Sequence, residues 1–234
     1  MTGVTLGIET SGFEGSIALR RDGTLVDQCS LERRRHAQSL ISQVRLLLGT
    51  HQLAPIDIDL VAVSHGPGSF TGLRVGVVFA KTFAFAIGCR LVAVDTLQAV
   101  ATAAPDGIDH VSAVSDAQRE QLFVGDYART PSGHWERSKA VRALGIDEWC
   151  DRAAQQASTE FAASGPGLSR VAERLPKTVR TLPETLWNPC ASQVAAIGER
   201  QAERDDLADA TQLEPFYLRR SSAEEKRDAR RADA

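Results

Sequence analysis

Apolar and polar positions along this chain fall into two successive sets of strands and helices. In the first, Val4 to Thr10, Gly15 to Arg20 and Thr24 to Leu31 read as strands, joined by turns at Gly12-Phe13-Glu14-Gly15 and Asp22-Gly23. That is a three-stranded meander. Ala37, Leu40, Ile41, Val44, Leu47 and Leu48 then share one helical face, on a helix ending near Gly49. Strand Leu60 to Ser64, helix Leu73 to Ala86 and strand Leu91 to Val94 complete a right-handed α/β crossover. A weaker set follows Pro105: strands His110 to Asp116, Leu122 to Tyr127, Trp135 to Val141 and Glu160 to Ala163, and a helix around Ala191 to Glu203. The pattern predicts two related α/β lobes, residues 1–104 and 105–211, with 212–220 returning to the first lobe.

The helix after residue 70 is apolar nearly all round. Gly72, Gly76, Ala80 and Ala84 recur every four residues, while Val75, Val78, Phe79, Phe83 and Phe85 crowd the remaining surface. Such a helix must be covered on several sides. Burial within one chain and cover by a second chain both satisfy the pattern. Arg74 and Lys81 interrupt the apolar run, which argues against a membrane span.

Between strand and helix lies Ser64-His65-Gly66-Pro67-Gly68-Ser69-Phe70-Thr71-Gly72-Leu73-Arg74. Its glycines permit close backbone approaches, and a helix start exposes unpaired N–H groups that can hold an anion or dock a partner. The phosphate fingerprints fail, because no Gly-Lys pair occurs and Thr71 stands where a dinucleotide loop has its third glycine. A nucleotide is then not demanded by the motif, and packing or docking is favoured over direct phosphate binding for Gly66, Pro67, Gly68, Gly72 and Gly76.

His65 to Gly76 closely resembles the signature of the TsaB (YeaZ) family. Further landmarks fall in order: Leu6-Gly7-Ile8-Glu9-Thr10-Ser11, Ser16 to Leu19, His36-Ala37-Gln38-Ser39-Leu40, Asp95 to Ala101, Asp116-Ala117-Gln118, Gly165-Pro166-Gly167 and Pro215-Phe216-Tyr217-Leu218-Arg219. The resemblance implies a degenerate two-lobed actin/Hsp70-like ATPase (ASKHA) fold, each lobe a mixed sheet with flanking helices. It implies a non-catalytic subunit of the machinery that places threonylcarbamoyl on N6 of the adenosine beside the tRNA anticodon. A TsaD-like catalytic subunit and a TsaE-like ATPase are then the expected partners, with ATP and metal on them, tRNA reached only through the complex, and a homodimer formed when the chain is alone. Docking is expected through the first two helices, at His36, Leu40, Ser69, Phe70, Thr71, Leu73, Arg74, Val77, Ala80, Lys81 and Ala84. Glu9-Thr10-Ser11 occupies the position of a phosphate loop, with Glu9 in place of the usual Asp, and reads as a strand end with a turn. Gln118 likewise replaces an Arg of the family pattern. The alternative is an actin-like ATP-dependent enzyme with its own nucleotide site between the lobes.

Composition fits this picture. The net charge of −3 over 234 residues argues against a stand-alone tRNA binder, and Trp135, Trp149 and Trp187 do not alternate with basic residues as a stacking platform would. Arg33-Arg34-Arg35 reads as a solvated cluster, and 221–234 mixes charges without apolar period, the pattern of a disordered tail. His36, His51, His65, His110 and His134 lie too far apart to form a local metal motif, and no Gly-x-Ser-x-Gly elbow occurs. No catalytic residue is assigned. Cys29, Cys89, Cys150 and Cys190 form no paired-ligand motif and read as reduced thiols. Val4 to Ile8 is too short for a secretory core, so a cytoplasmic location is expected.

Overall fold

The structure, a computed structural model, describes residues 3–32 and 36–218. The Arg33–Arg35 cluster and the tail 221–234 lie outside the described residues.

The first lobe forms as its periodicity predicts. Strands β1 (Val4–Glu9), β2 (Ser16–Arg21) and β3 (Thr24–Ser30) pair as an antiparallel meander, and β4 (Leu60–Gly66) and β5 (Arg90–Asp95) add parallel strands beyond β1. The sheet order is β3-β2-β1-β4-β5. Helices α1 (His36–Thr50) and α2 (Phe70–Ile87) cover one face, where Leu6, Ile8, Val61 and Val63 meet Leu40, Val44, Val77 and Ala80 in a closed core. Ser69 caps α2 by accepting a bond from the Gly72 amide, and Gly88 ends the helix in the left-handed region at φ 74°.

In the second lobe, β6 (His110–Gln118) and β7 (Gln121–Arg129) form a long hairpin. The run Trp135 to Val141, expected as one strand, is extended only over β8 (Trp135–Arg137), which pairs with one end of β7, and a further strand, β9 (Arg142–Gly145), follows it and pairs with the other end. The last strand, β10 (Phe161–Ser164), lies parallel to β6.

Three helices depart from the sequence reading. Helix α3 (Thr96–Thr102) was not foreseen; it is capped by Asp95 and wedged between the lobes, with Leu97, Val100 and Ala101 in the second core and Ala99 in contact with the first sheet. Helix α4 (Ile146–Gln156), also unforeseen, buries Ile146, Trp149, Cys150 and Ala153. Helix α5 (Ala191–Glu203), grouped by sequence with the second lobe, packs on the first sheet. Small residues on both sides of the contact permit this: a Cβ on Gly7 of β1 would fall 2.3 Å from the Ala191 carbonyl oxygen, and one on Gly198 of α5 would fall 2.4 Å from the Ala62 Cβ. The Ala191 amide donates to Ser16 Oγ at 2.9 Å, and Arg20 Nε donates to Glu199 at 3.0 Å.

The end of the described chain returns across α2. The Ala208 amide donates to the Leu91 carbonyl, Leu213 packs against the first core, and Leu218 reaches the second.

Candidate functional site

The signature loop is built on the turn after β1. Ser69 N donates to the Ser11 carbonyl at 2.7 Å, and the glycines around it leave no room for side chains. A Cβ on Gly68 would lie 2.7 Å from Ser11, on Gly72 2.0 Å from the Thr10 carbonyl oxygen, and on Gly76 2.2 Å from Thr10 Oγ1. Gly66 adopts φ 129°, and its missing Cβ admits the Phe216 carbonyl oxygen. Each glycine therefore marks a close contact, Gly68, Gly72 and Gly76 seating α2 on residues 10 and 11 and Gly66 admitting the returning chain at Phe216.

The turn itself points inward. Glu9, Thr10 and Ser11 are buried, and Glu9 Oε1 accepts bonds from the Ser11 amide and hydroxyl. Glu9 Oε2 and Thr10 Oγ1 have no hydrogen-bond partner among the described residues. Burial pushes the Glu9 carboxyl above the usual carboxylate range, against the opposing pull of the Ser11 hydroxyl. With the Ser11 and Ser69 amides both taken up within the chain, the start of α2 is a packing joint.

At the lobe junction, Asp95 Oδ1 caps α3 through the Leu97 amide, and Asp95 Oδ2 accepts from the Tyr127 hydroxyl at 2.7 Å. Burial raises both the Asp95 carboxyl and the Tyr127 phenol above their usual ranges. The second-lobe turn stays at the surface: Asp116 and Glu120 accept from Arg170 at 2.7 and 2.6 Å.

The expected docking residues divide. Leu40, Leu73, Val77, Ala80 and Ala84 are closed into the chain's own core, all between 0 and 2% exposed, so of the two covers the sequence left open for them, the structure shows burial within the chain. The four-residue spacing of small side chains seats α2 on its own lobe. Ser69, Thr71 and Arg74 are exposed, Phe70 and Lys81 half-buried, and of His36 only the backbone at the start of α1 is described. Sequence reasoning missed the large apolar residues that face outward: Ile41 (66% exposed) and Leu46 (62%) on α1, Val78 (58%) and Phe85 (73%) on α2. Part of the signal was available for α2, since Arg74, Val78, Lys81 and Phe85 share a stripe turned about 100° from that of Leu73, Val77, Ala80 and Ala84. Among the described helices α2 is long and apolar enough to cross a membrane, yet its buried stripe belongs to the first core.

Pro215-Phe216-Tyr217 gains a place that the sequence did not supply. The Phe216 amide donates to the His65 carbonyl at 2.7 Å, and Tyr217 stacks on Phe70 with centroids 4.7 Å apart. The guanidinium of Arg74 lies 4.2 Å from the Phe70 centroid, and its Nε donates to the Tyr217 hydroxyl at 3.1 Å.

Residues 30–226 match the family model described as tRNA N6-adenosine threonylcarbamoyltransferase. Across 94% of its length the chain is 27% identical to the tRNA threonylcarbamoyladenosine biosynthesis protein TsaB of Bacillus subtilis and 28% identical to that of Escherichia coli, covering 96% of each. The solved structure of YeaZ from Pseudomonas aeruginosa superposes with a TM-score of 0.81 at 27% identity, covering 93% of this chain and all of that one. Sequence and fold agree along nearly the whole length, and the chain belongs to the TsaB (YeaZ) branch of the tRNA N6-adenosine threonylcarbamoyltransferase family.

Proposed function

We propose that this chain is a non-catalytic subunit of tRNA threonylcarbamoyladenosine biosynthesis that binds a TsaD-like catalytic subunit through the outer face of α1 and α2. The observation that carries this reading is the set of exposed large apolar side chains, Ile41 and Leu46 on α1 and Val78 and Phe85 on α2, two helices packed over the same sheet. Exposed apolar side chains grouped in this way are the usual mark of a protein contact. Threonylcarbamoyl transfer, ATP and metal are assigned to the TsaD-like subunit and a TsaE-like ATPase, tRNA is reached through the assembly, and the working location is the cytoplasm. Alone, two copies would meet through the same face.

The buried Glu9 and the self-bonded amides of residues 11 and 69 favour this reading over a nucleotide-dependent enzyme, because a phosphate would have to displace contacts that the fold already makes. Calorimetric titration with the TsaD-like subunit of the same cell tests the proposal. The double variant Val78→Ser/Phe85→Ser should weaken binding at least about tenfold with an unchanged melting temperature, since both side chains are exposed in the free chain. Mg-ATP should not raise the melting temperature of this chain. Wild-type affinity in the double variant would remove the helices from the contact, and a large Mg-ATP shift would restore the nucleotide alternative.

A further inference from the structure

Charge sets the outer face of α1 and α2 apart from the rest of the molecule. The chain holds 30 acidic and 27 basic residues, yet α1 and α2 contain no Asp or Glu. Apart from His36, their ionisable residues are Arg45, Arg74 and Lys81.

These cations are not equivalent. Lys81 is used within the chain, its Nζ donating to the carbonyls of Leu213 at 2.9 Å and Thr211 at 3.3 Å. Arg45 is exposed in a groove of about 590 Å³ along α1, beside Ile41 and Leu46. Arg74 is exposed but held in place: Phe70 supports one face of the guanidinium, and Tyr217 takes its Nε. These contacts leave the terminal nitrogens, the part of the fork that grips a carboxylate in a two-point bond. Among the described residues no carboxylate forms an ion pair with Arg45 or Arg74. An arginine already oriented, one turn from exposed Val78 on the same stripe of α2, gives up little freedom when it captures an anion.

Resting on the docking reading above, we infer that this face receives the carboxylate-bearing surface of the TsaD-like subunit, with Arg74 as its anchor and Tyr217 as the residue that positions Arg74. The same pattern discriminates against self. Two copies meeting through α1 and α2 bring arginines into an interface where neither pair of helices offers an acid, so self-pairing is the weaker contact and an acidic partner displaces it.

Opposite responses to salt test this. Dissociation constants of the full chain with the TsaD-like subunit, and with itself, are measured at about 50 and 500 mM NaCl, where screening lengths differ severalfold. The heteromeric contact should weaken about tenfold at the higher salt, while self-association stays constant or tightens. Arg74→Gln should weaken the heteromer about tenfold and flatten its salt response; Tyr217→Phe, which removes only the steering hydroxyl, should weaken it about threefold. Neither variant should weaken self-association. A heteromer indifferent to salt and to Arg74→Gln, yet still weakened by Val78→Ser/Phe85→Ser, overturns the inference and leaves the docking proposal standing. Wild-type binding by the serine variant overturns both. Self-association that is tighter at low salt overturns the discrimination.

Discussion

The two lobes contain the same local arrangement with opposite outcomes. In each, a hairpin strand lies beside a parallel strand that runs into Gly-Pro-Gly: β1 and β4 into Gly66-Pro67-Gly68, β6 and β10 into Gly165-Pro166-Gly167. The leading glycine is left-handed in both, at φ 129° and 116°, and in both its bare Cα lies against a carbonyl, that of Phe216 in one case and of Val114 in the other. Beyond the second glycine the lobes diverge. In the first an 18-residue helix starts directly on Thr10 and Ser11 and closes the turn. In the second the chain makes only a five-residue 3-10 turn, and Asp116 and Glu120 stay exposed and pair with Arg170. One geometry suited to an anion has become a packing joint, the other a solvated ion cluster.

The largest effect expected from breaking this contrast is at Gly72, where a Cβ would sit 2.0 Å from backbone that has no freedom to retreat. Gly72→Ala should cost about 3 kcal/mol by chemical denaturation; a wild-type midpoint would mean that the joint is loose.

Next is Glu9→Gln. Because the folded carboxyl holds its proton more tightly than the unfolded one, wild-type stability is full below the ordinary value of 4.5 and is lost as pH rises through the folded value. The variant escapes this loss. Its melting temperature should therefore gain on wild type as pH is raised from about 4.5 to 8, and a constant difference would show that Glu9 ionises freely.

The smallest effect belongs to the second turn. Arg170→Ala removes exposed ion pairs with Asp116 and Glu120 and should leave the melting temperature unchanged at moderate salt. A clear drop would make that cluster structural and narrow the difference between the lobes.

How much of this was legible in sequence depends on the distance over which the deciding contact acts. The meander, α1 and α2 could be read because alternation and 3.6-residue periodicity are local. Helix α4 carried a readable signal in Ile146, Trp149, Cys150 and Ala153, spaced as one buried face. Helix α3 has seven residues, five of them buried, and begins directly after β5, so it presents no polar face to give it a period. The lobe that α5 joins was illegible, because its helical phase shows which side is buried but not that Gly7 and Ala62 are what it meets. The same limit applied at the candidate site. Alanines spaced for helix contact do not reveal whether the contacting surface belongs to the same chain, whereas Val78 and Phe85 could be placed outside once the inner face of α2 was fixed. The part played by Tyr217 depended on a contact across 143 positions of sequence.

The wedge helix α3 has one more consequence, for how the chain acquires its shape. Leu97, Val100 and Ala101 complete the interior of one lobe, while Ala99 completes that of the other. Neither half owns a full set of interior side chains, and α5 must cross back from the far side of the second lobe before the first sheet is covered. The molecule is therefore topologically two-part but joined in its interior: a polypeptide ending near residue 104 would leave the α5 side of its sheet bare, and synthesis has to pass α5 before the first lobe can close.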